Sequence, residues 1–160
     1  MSKQSRAVYG SRFSAQRALA YNMVERMLKR YDEIVLAVND ARADSKRSQI
    51  TGGSGTAHIS DPTAATAIRH LTPLAIVELI DGCKVHKPET WLAIINRAYR
   101  DFPPIESRAM RHFYSGKTAT WTAVMFGMDE STVYRIRADF RQYLVELACQ
   151  YGLVRVAPAE

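Results

Sequence analysis

Apolar residues recur every three or four positions along most of the chain, which is the period of an α-helix. The longest pattern runs from Ser14, the predicted N-cap, to Ala43 without glycine or proline. Its apolar positions form a heptad-like seam: Ala20, Val24, Met27, Tyr31, Ile34 and Val38. A seam shorter than ~3–4 heptads fits a helix that packs along its own domain and a helix that pairs two copies equally well. Both hypotheses stay open at this point.

The segments that flank this helix lack an apolar period. Residues 1–13 are polar and basic and predict a loosely held arm. Residues 45–60 contain three glycines, four serines and two threonines, which predicts a flexible linker. We therefore expect a basic arm with a long amphipathic helix over residues 1–44, a linker over residues 45–60 and a helical domain over residues 61–160.

Proline and glycine divide the helical domain into short helices, because proline favours a first turn and glycine a helix end. The predicted helices begin near Asp61, Thr72, Pro88 and Ile105 and end near Leu71, Ile80, Phe102 and Tyr114. A break is expected at Pro73, whose ring would clash with the preceding turn. The predicted fold class is an all-α helical bundle with a long amino-terminal helix.

The stretch from Thr118 to Arg137 has the pattern of two helices joined by a tight turn. Ala123 is small where the helices cross, Gly127 can adopt a positive φ, and Val133 is an apolar residue that would hold the second helix against the first. Gly127 follows Ala123 by four positions, and Val133 follows Gly127 by six. This spacing is typical of a helix-turn-helix. Thr118 and Asp129 are the predicted N-caps. Thr122 departs from the pattern, which usually carries Ile or Val at that position.

A helix-turn-helix contacts base edges with the first turns of its second helix and phosphates with the flanks. The predicted DNA-binding residues are Lys117, Thr118, Glu130, Ser131, Tyr134, Arg135, Arg137 and Arg141. Arg135 is the candidate for direct base recognition, because a guanidinium can bind guanine O6 and N7 together. The other arginines and Lys117 are expected to contact phosphates.

Composition is consistent with an anionic partner, since the net charge is +6 and the basic excess lies toward the two ends of the chain. Cys83 and Cys149 are predicted to be buried free thiols in a reducing compartment. No apolar run approaches the ~18–20 residues of a membrane span. The amino terminus lacks the apolar core of a signal peptide. We therefore expect a cytoplasmic protein without membrane contact.

Catalytic and metal sites find no support in the sequence. The four histidines are scattered, and Cys83 and His86 alone cannot close a zinc site. The glycines near residue 53 are not followed by the Lys-Ser or Lys-Thr of a phosphate-binding loop. Trp91 and Trp121 are interpreted as core aromatic residues. The sequence predicts no enzyme, no cofactor and no metal.

The segment from Ile105 to Leu147 resembles region four of bacterial sigma factors, with TATWTAVMFGMDESTVYRIR in place of the usual helix-turn-helix. Together with the block ISDPTAATAIRH and the amino-terminal helix, the layout over about residues 60–150 is similar to phage and prophage transcriptional regulators of the ArpU and RinA type. Trp121 departs from this family's pattern, which has an acidic or polar residue there. The resemblance implies binding to promoter-proximal double-stranded DNA and activation of late genes.

Three functional hypotheses follow. The first is a sequence-specific DNA-binding regulator of transcription without enzymatic activity; contact with RNA polymerase and a homodimer through the amino-terminal helix are left open in this hypothesis. The second is an oligomeric DNA-packaging protein similar to a phage terminase small subunit, which also uses a helix-turn-helix. The third is a protein-interaction module that contacts RNA polymerase without touching DNA.

Overall fold

The computed structural model describes the backbone of residues 3–47 and 72–156 and the side chains of residues 15–43 and 72–156. These residues form six helices and two short strands, so the predicted all-α class is confirmed. In chain order they are α1 (Lys3–Lys29), α2 (Tyr31–Arg47), β1 (Ile76–Glu78), β2 (Lys84–His86), α3 (Pro88–Asp101), α4 (Pro104–Tyr114), α5 (Ala119–Phe126) and α6 (Glu130–Gln150).

The amino-terminal helix differs from its prediction at three points. It begins at Lys3 rather than at Ser14, so residues 3–13 are helical and not a loose arm. It is interrupted at Arg30, and α2 continues to Arg47, which lies inside the predicted linker. The rest of that linker, and the helix predicted from Asp61 to Leu71, lie outside the described residues.

The prediction of a helix from Thr72 to Ile80 is wrong, because this segment contains the first strand of a β-hairpin. β1 and β2 pair antiparallel in the register Ile76↔His86, Val77↔Val85 and Glu78↔Lys84. Val77 and Val85 are buried while their neighbours are exposed, which is the period of two that a strand requires. Gly82 has a φ of 78° in the connecting turn. The sequence signal was Asp81-Gly82 between β-branched residues, a strong hairpin indicator.

The chain folds into two compact units, and their boundaries differ from those of the predicted domains. The larger unit contains residues 1–30 and 93–160, and the smaller unit contains residues 31–92. Within the smaller unit, Arg42 Nε donates to Glu89 Oε1 at 3.0 Å. Glu89 Oε2 also accepts from the Leu74 N–H at 2.9 Å, so one carboxylate joins α2, the segment before β1 and the start of α3.

The core of the larger unit lies along α6, against which α1, α4 and α5 pack. Phe140 is fully buried and its ring lies 4.9 Å from Tyr99 and 5.0 Å from Phe102, centroid to centroid. On α1, Val24 and Met27 are buried as well. The first half of the predicted seam is therefore used inside the chain, which agrees with the hypothesis of a helix packed along its own domain.

Candidate nucleic-acid interface

The corner between α5 and α6 depends on Gly127. Its backbone is left-handed, with φ 63° and ψ 40°, a conformation that costs glycine little. The Met128 N–H then donates to the Ala123 carbonyl at 3.0 Å, which satisfies the end of α5. Ala123 is 6% exposed and Val133 is fully buried. All three residues occupy the positions that the spacing predicted.

The two helix starts are capped in different ways. Thr118 Oγ1 accepts a hydrogen bond from the Trp121 N–H at 3.1 Å, so the predicted cap of α5 is confirmed. Asp129 occupies the N-cap position of α6 with an extended backbone, as predicted, but its side chain makes no capping hydrogen bond. The Asp129 carboxylate is therefore exposed at the start of α6.

Thr122, the departure from the expected apolar pattern, is fully buried and hydrogen-bonded. Its hydroxyl donates to the Thr118 carbonyl at 2.9 Å and lies 3.0 Å from His112 Nδ1. A hydroxyl that donates to the Thr118 carbonyl can still accept a hydrogen bond, so this arrangement suits a His112 tautomer with its proton on Nδ1. The His112 ring also meets Phe126 edge-on, with centroids 5.7 Å apart. A polar residue is tolerated in this core because it has partners there.

The first two turns of α6 present an exposed row made of Ser131, Tyr134 and Arg135. The opposite side of the same turns is fixed by Val133 and Ile136, which are 0% and 3% exposed. This division of the helix is the one that the sequence predicted.

Two cations of the predicted interface, Arg135 and Lys117, are available to a ligand. Arg135 is exposed, and its side chain forms no ion pair or hydrogen bond with another described residue. The same holds for Lys117, immediately before the start of α5. Glu130 is exposed and accepts a hydrogen bond from Thr120 Oγ1 at 3.1 Å, which keeps its carboxylate beside α5.

Arg137 and Arg141 do not lie with the exposed row, contrary to the predicted phosphate contacts. Arg137 Nη2 lies 2.7 Å from Glu25 Oε1, and Arg141 Nη1 lies 3.5 Å from Glu25 Oε2. Their side chains are 25% and 29% exposed. Both arginines therefore form ion pairs with a residue of α1, and these ion pairs help to hold α1 against α6.

Tyr114 completes this group, which we call the Glu25 cluster (Glu25, Tyr114, Arg137 and Arg141). The Tyr114 hydroxyl donates to Glu25 Oε2 at 3.1 Å. Burial raises the pKa of the Tyr114 phenol above its ordinary value, and the negative charge of Glu25 raises it further. Burial alone would lower the pKa of Arg137, but hydrogen bonds with Glu25 and Tyr114 outweigh this effect and raise it. Tyr114 therefore stays a neutral phenol and Arg137 a cation near neutral pH.

The outer face of α5 is apolar and exposed. Trp121 is 54% exposed, Val124 70% and Met125 58%, so the prediction that Trp121 is a core residue is wrong. Trp91, by contrast, is 4% exposed as predicted. The inner face of α5 is made of the small residues Ala119, Thr122 and Ala123, which leaves the large side chains on the outside.

Three further features of the described part of the chain are its metal-binding side chains, its helix lengths and its cysteines. There, no three His, Cys, Asp or Glu side chains lie close enough together to hold a metal ion. Over the same residues, no helix has the length and apolar character needed to cross a membrane. Cys83 and Cys149 are free thiols, as predicted, but they are partly exposed rather than buried.

Comparisons of the chain with protein-family models, with curated proteins and with solved structures find no match.

Proposed function

We propose that this protein is a sequence-specific DNA-binding regulator of transcription, in which α5 and α6 act as a helix-turn-helix. The first turns of α6 enter the major groove, and the start of α5 contacts the phosphate backbone. The protein acts in the cytoplasm by binding, without catalysis. The resemblance to phage and prophage regulators makes late-gene promoters and RNA polymerase the proposed targets.

The observation that carries this proposal is the exposed row on α6. Ser131, Tyr134 and Arg135 lie at the amino-terminal end of a helix whose other side is buried. A hydroxyl, a phenol and a guanidinium on two successive turns suit hydrogen bonds to base edges and phosphates. Because the Arg135 side chain has no partner among the described residues, it can bind a guanine without first breaking an ion pair with any of them.

Lys117 and Thr118 support the same orientation. Lys117 is exposed next to the amino terminus of α5, where the helix dipole also favours an anion. Since the Thr118 hydroxyl caps α5, a phosphate contact at this residue would come from its backbone or from the same hydroxyl acting as an additional donor. Glu130 stays beside Thr120 and is proposed to accept from a cytosine amino group.

Replacing Arg135 and Lys117 separates base recognition from phosphate binding. We expect Arg135→Ala to weaken binding to a selected duplex by about 1–3 kcal/mol and to reduce the preference over unrelated duplexes. Lys117→Ala should weaken all duplexes alike and lower the slope of log K against log salt by about one unit. Fluorescence anisotropy with a duplex selected from a random pool, repeated at several salt concentrations, measures both effects.

Arg100→Ala is the matched control for these two variants. Arg100 is exposed on α3 next to Asp101, whose carboxylate accepts from the Tyr143 hydroxyl at 2.7 Å. Tyr143 lies two to three turns of α6, roughly 13 Å, beyond Tyr134. The control removes the same charge and should leave sequence preference unchanged. Equal losses for Arg100→Ala and Arg135→Ala would mean that only net charge matters and would contradict the proposed interface.

The second candidate function is an oligomeric DNA-packaging protein. The exposed apolar face of α5 favours it, because assembly proteins need an apolar surface to join their subunits. Stimulation of a packaging ATPase together with ring-shaped oligomers in solution would support this candidate. Activation of a promoter in a reconstituted transcription reaction would support the regulator.

A further inference from the structure

The outer face of α5 is mainly apolar, and Thr120 is its one exposed polar residue. No residue of α5 carries a charge, and Trp121, Val124 and Met125 form one exposed apolar patch, which we call the α5 patch. These residues are spaced by three and four positions and therefore share one side of the helix. An exposed apolar patch of this kind ordinarily marks an interaction surface. The described residues of the single chain bury only the inner side of α5.

The charges at the two ends of α5 have opposite signs. Lys117 precedes the helix, and Asp129 follows the Gly127 turn. Both are exposed, and neither side chain forms a hydrogen bond or ion pair with another described residue. Asp129 does not use its side chain to cap α6, so its carboxylate is available to an outside cation.

We propose that the α5 patch binds the α5 patch of a second copy of this chain, with the two helices antiparallel about a two-fold axis at Ala123. Position 123 is the midpoint of the charged pair, because 117 and 129 are each six residues away. It is also the midpoint of 121 and 125, each two residues away. Within α5, this axis pairs Trp121 with the partner's Met125 and brings Val124 close to the partner's Val124. In the proposed dimer, Lys117 at the start of α5 meets the partner's Asp129, which follows the Gly127 turn at the other end.

The chemistry of each pair favours this self-association. A methionine sulfur against an indole is a favourable contact, and two copies of it form at once. The Lys117–Asp129 pair also forms twice, and antiparallel helices place opposite dipole ends together. A partner helix with a different charge pattern would not complement both ends of α5.

The size of the patch sets the strength of the association. Three partly exposed side chains offer far less than the ~800 Å² per partner of a standard interface. The dimer is therefore weak, with a dissociation constant on the order of 0.1–1 mM, and it is favoured where copies are held at high local concentration. This inference does not depend on DNA binding, and a Lys117 side chain that is paired with the partner's Asp129 is not free to contact a phosphate at the same time.

Sedimentation of the full-length protein over a concentration series tests the proposal. The wild type should shift from monomer toward dimer, and Val124→Glu, which places two like charges at the axis, should raise the dissociation constant at least about tenfold. Leu19→Glu is the matched control, since Leu19 is 67% exposed on α1 and outside the patch. The control should associate like the wild type.

Charge reversal provides a second variant that leaves the apolar patch intact. Lys117→Glu alone should weaken association, and Lys117→Glu combined with Asp129→Lys should restore it, because each chain then carries the reversed pair. Circular dichroism checks that every variant is folded. Trp121 emission should also move to shorter wavelength as concentration rises. A wild type that stays monomeric at millimolar concentration, a Val124→Glu variant that associates normally or a double reversal that fails to restore association would each overturn the proposal.

Discussion

Single residues on α5 and α6 show which local features a sequence can predict. The left-handed Gly127, the Thr118 cap and the buried Val133 depend on neighbours within a few positions, so spacing alone placed them. The partner of Thr122 could not be found in this way. His112 lies ten residues earlier, on α4, and meets Thr122 only after α4 and α5 have packed together.

We expect Thr122→Val to change the free energy of unfolding by no more than about 1 kcal/mol. Valine keeps the volume, the Thr118 carbonyl still accepts from the backbone N–H of residue 122 at 3.0 Å, and half-buried His112 can turn to water. Thr122→Ala is the comparison and should cost about 1–2 kcal/mol, because it removes a buried methyl group as well. Urea denaturation measures both. A loss for valine as large as the loss for alanine would show that the hydroxyl, rather than the packing, stabilises the corner.

The packing of α1 explains why the sequence did not separate the exposed arginine of α6 from the two arginines that contact Glu25. The apolar seam correctly identified the buried side of the helix, but periodicity does not say what covers it. Since α1 packs on α6, it engages Arg137 and Arg141, and these arginines could not be told from exposed Arg135 by their positions on α6 alone. The hairpin was missed for a related reason. Short apolar runs fit a helix or a strand until their partner is known.

Glu25→Gln tests how α1 is held. The change leaves two half-buried arginines without a carboxylate, so we expect a loss of about 1–3 kcal/mol in the free energy of unfolding. Lys29→Gln is the control, because Lys29 is 62% exposed and forms only an i,i+4 pair with Glu25 at 3.6 Å. It should cost at most about 0.5 kcal/mol. Equal effects in thermal or urea unfolding would rule out a special role for the Glu25 cluster.

At the scale of the whole molecule, the larger compact unit is not continuous in sequence. Residues 1–30 belong with residues 93–160, whereas the sequence predicted an amino-terminal segment separate from the DNA-binding part. Composition reveals linkers but not which distant segments share a core. The proposed DNA-binding helices therefore rely on α1 for part of their core, in addition to the local turn that forms the corner.

Deleting residues 1–30 should strongly destabilise the rest of the larger unit. Val24 and Met27 are 0% and 3% exposed, and burial of such side chains contributes about 1.5–3 kcal/mol each. That loss is a large part of the ~5–15 kcal/mol that stabilises an ordinary domain. Thermal unfolding followed by far-ultraviolet circular dichroism should become broad and shift to lower temperature. An unchanged, cooperative transition would show that α4–α6 fold without α1.

The most direct test of the proposed DNA contact is photo-crosslinking from two positions of the same helix. Ser131 and Gln150 are both exposed on α6 and lie roughly 28 Å apart along it. A photoreactive benzophenone amino acid would replace each in turn, and the protein would be irradiated with a duplex under conditions of saturating binding. We predict efficient crosslinking to DNA from position 131 and little from position 150. Binding without a crosslink from position 131, or equal crosslinking from both positions, would contradict the account.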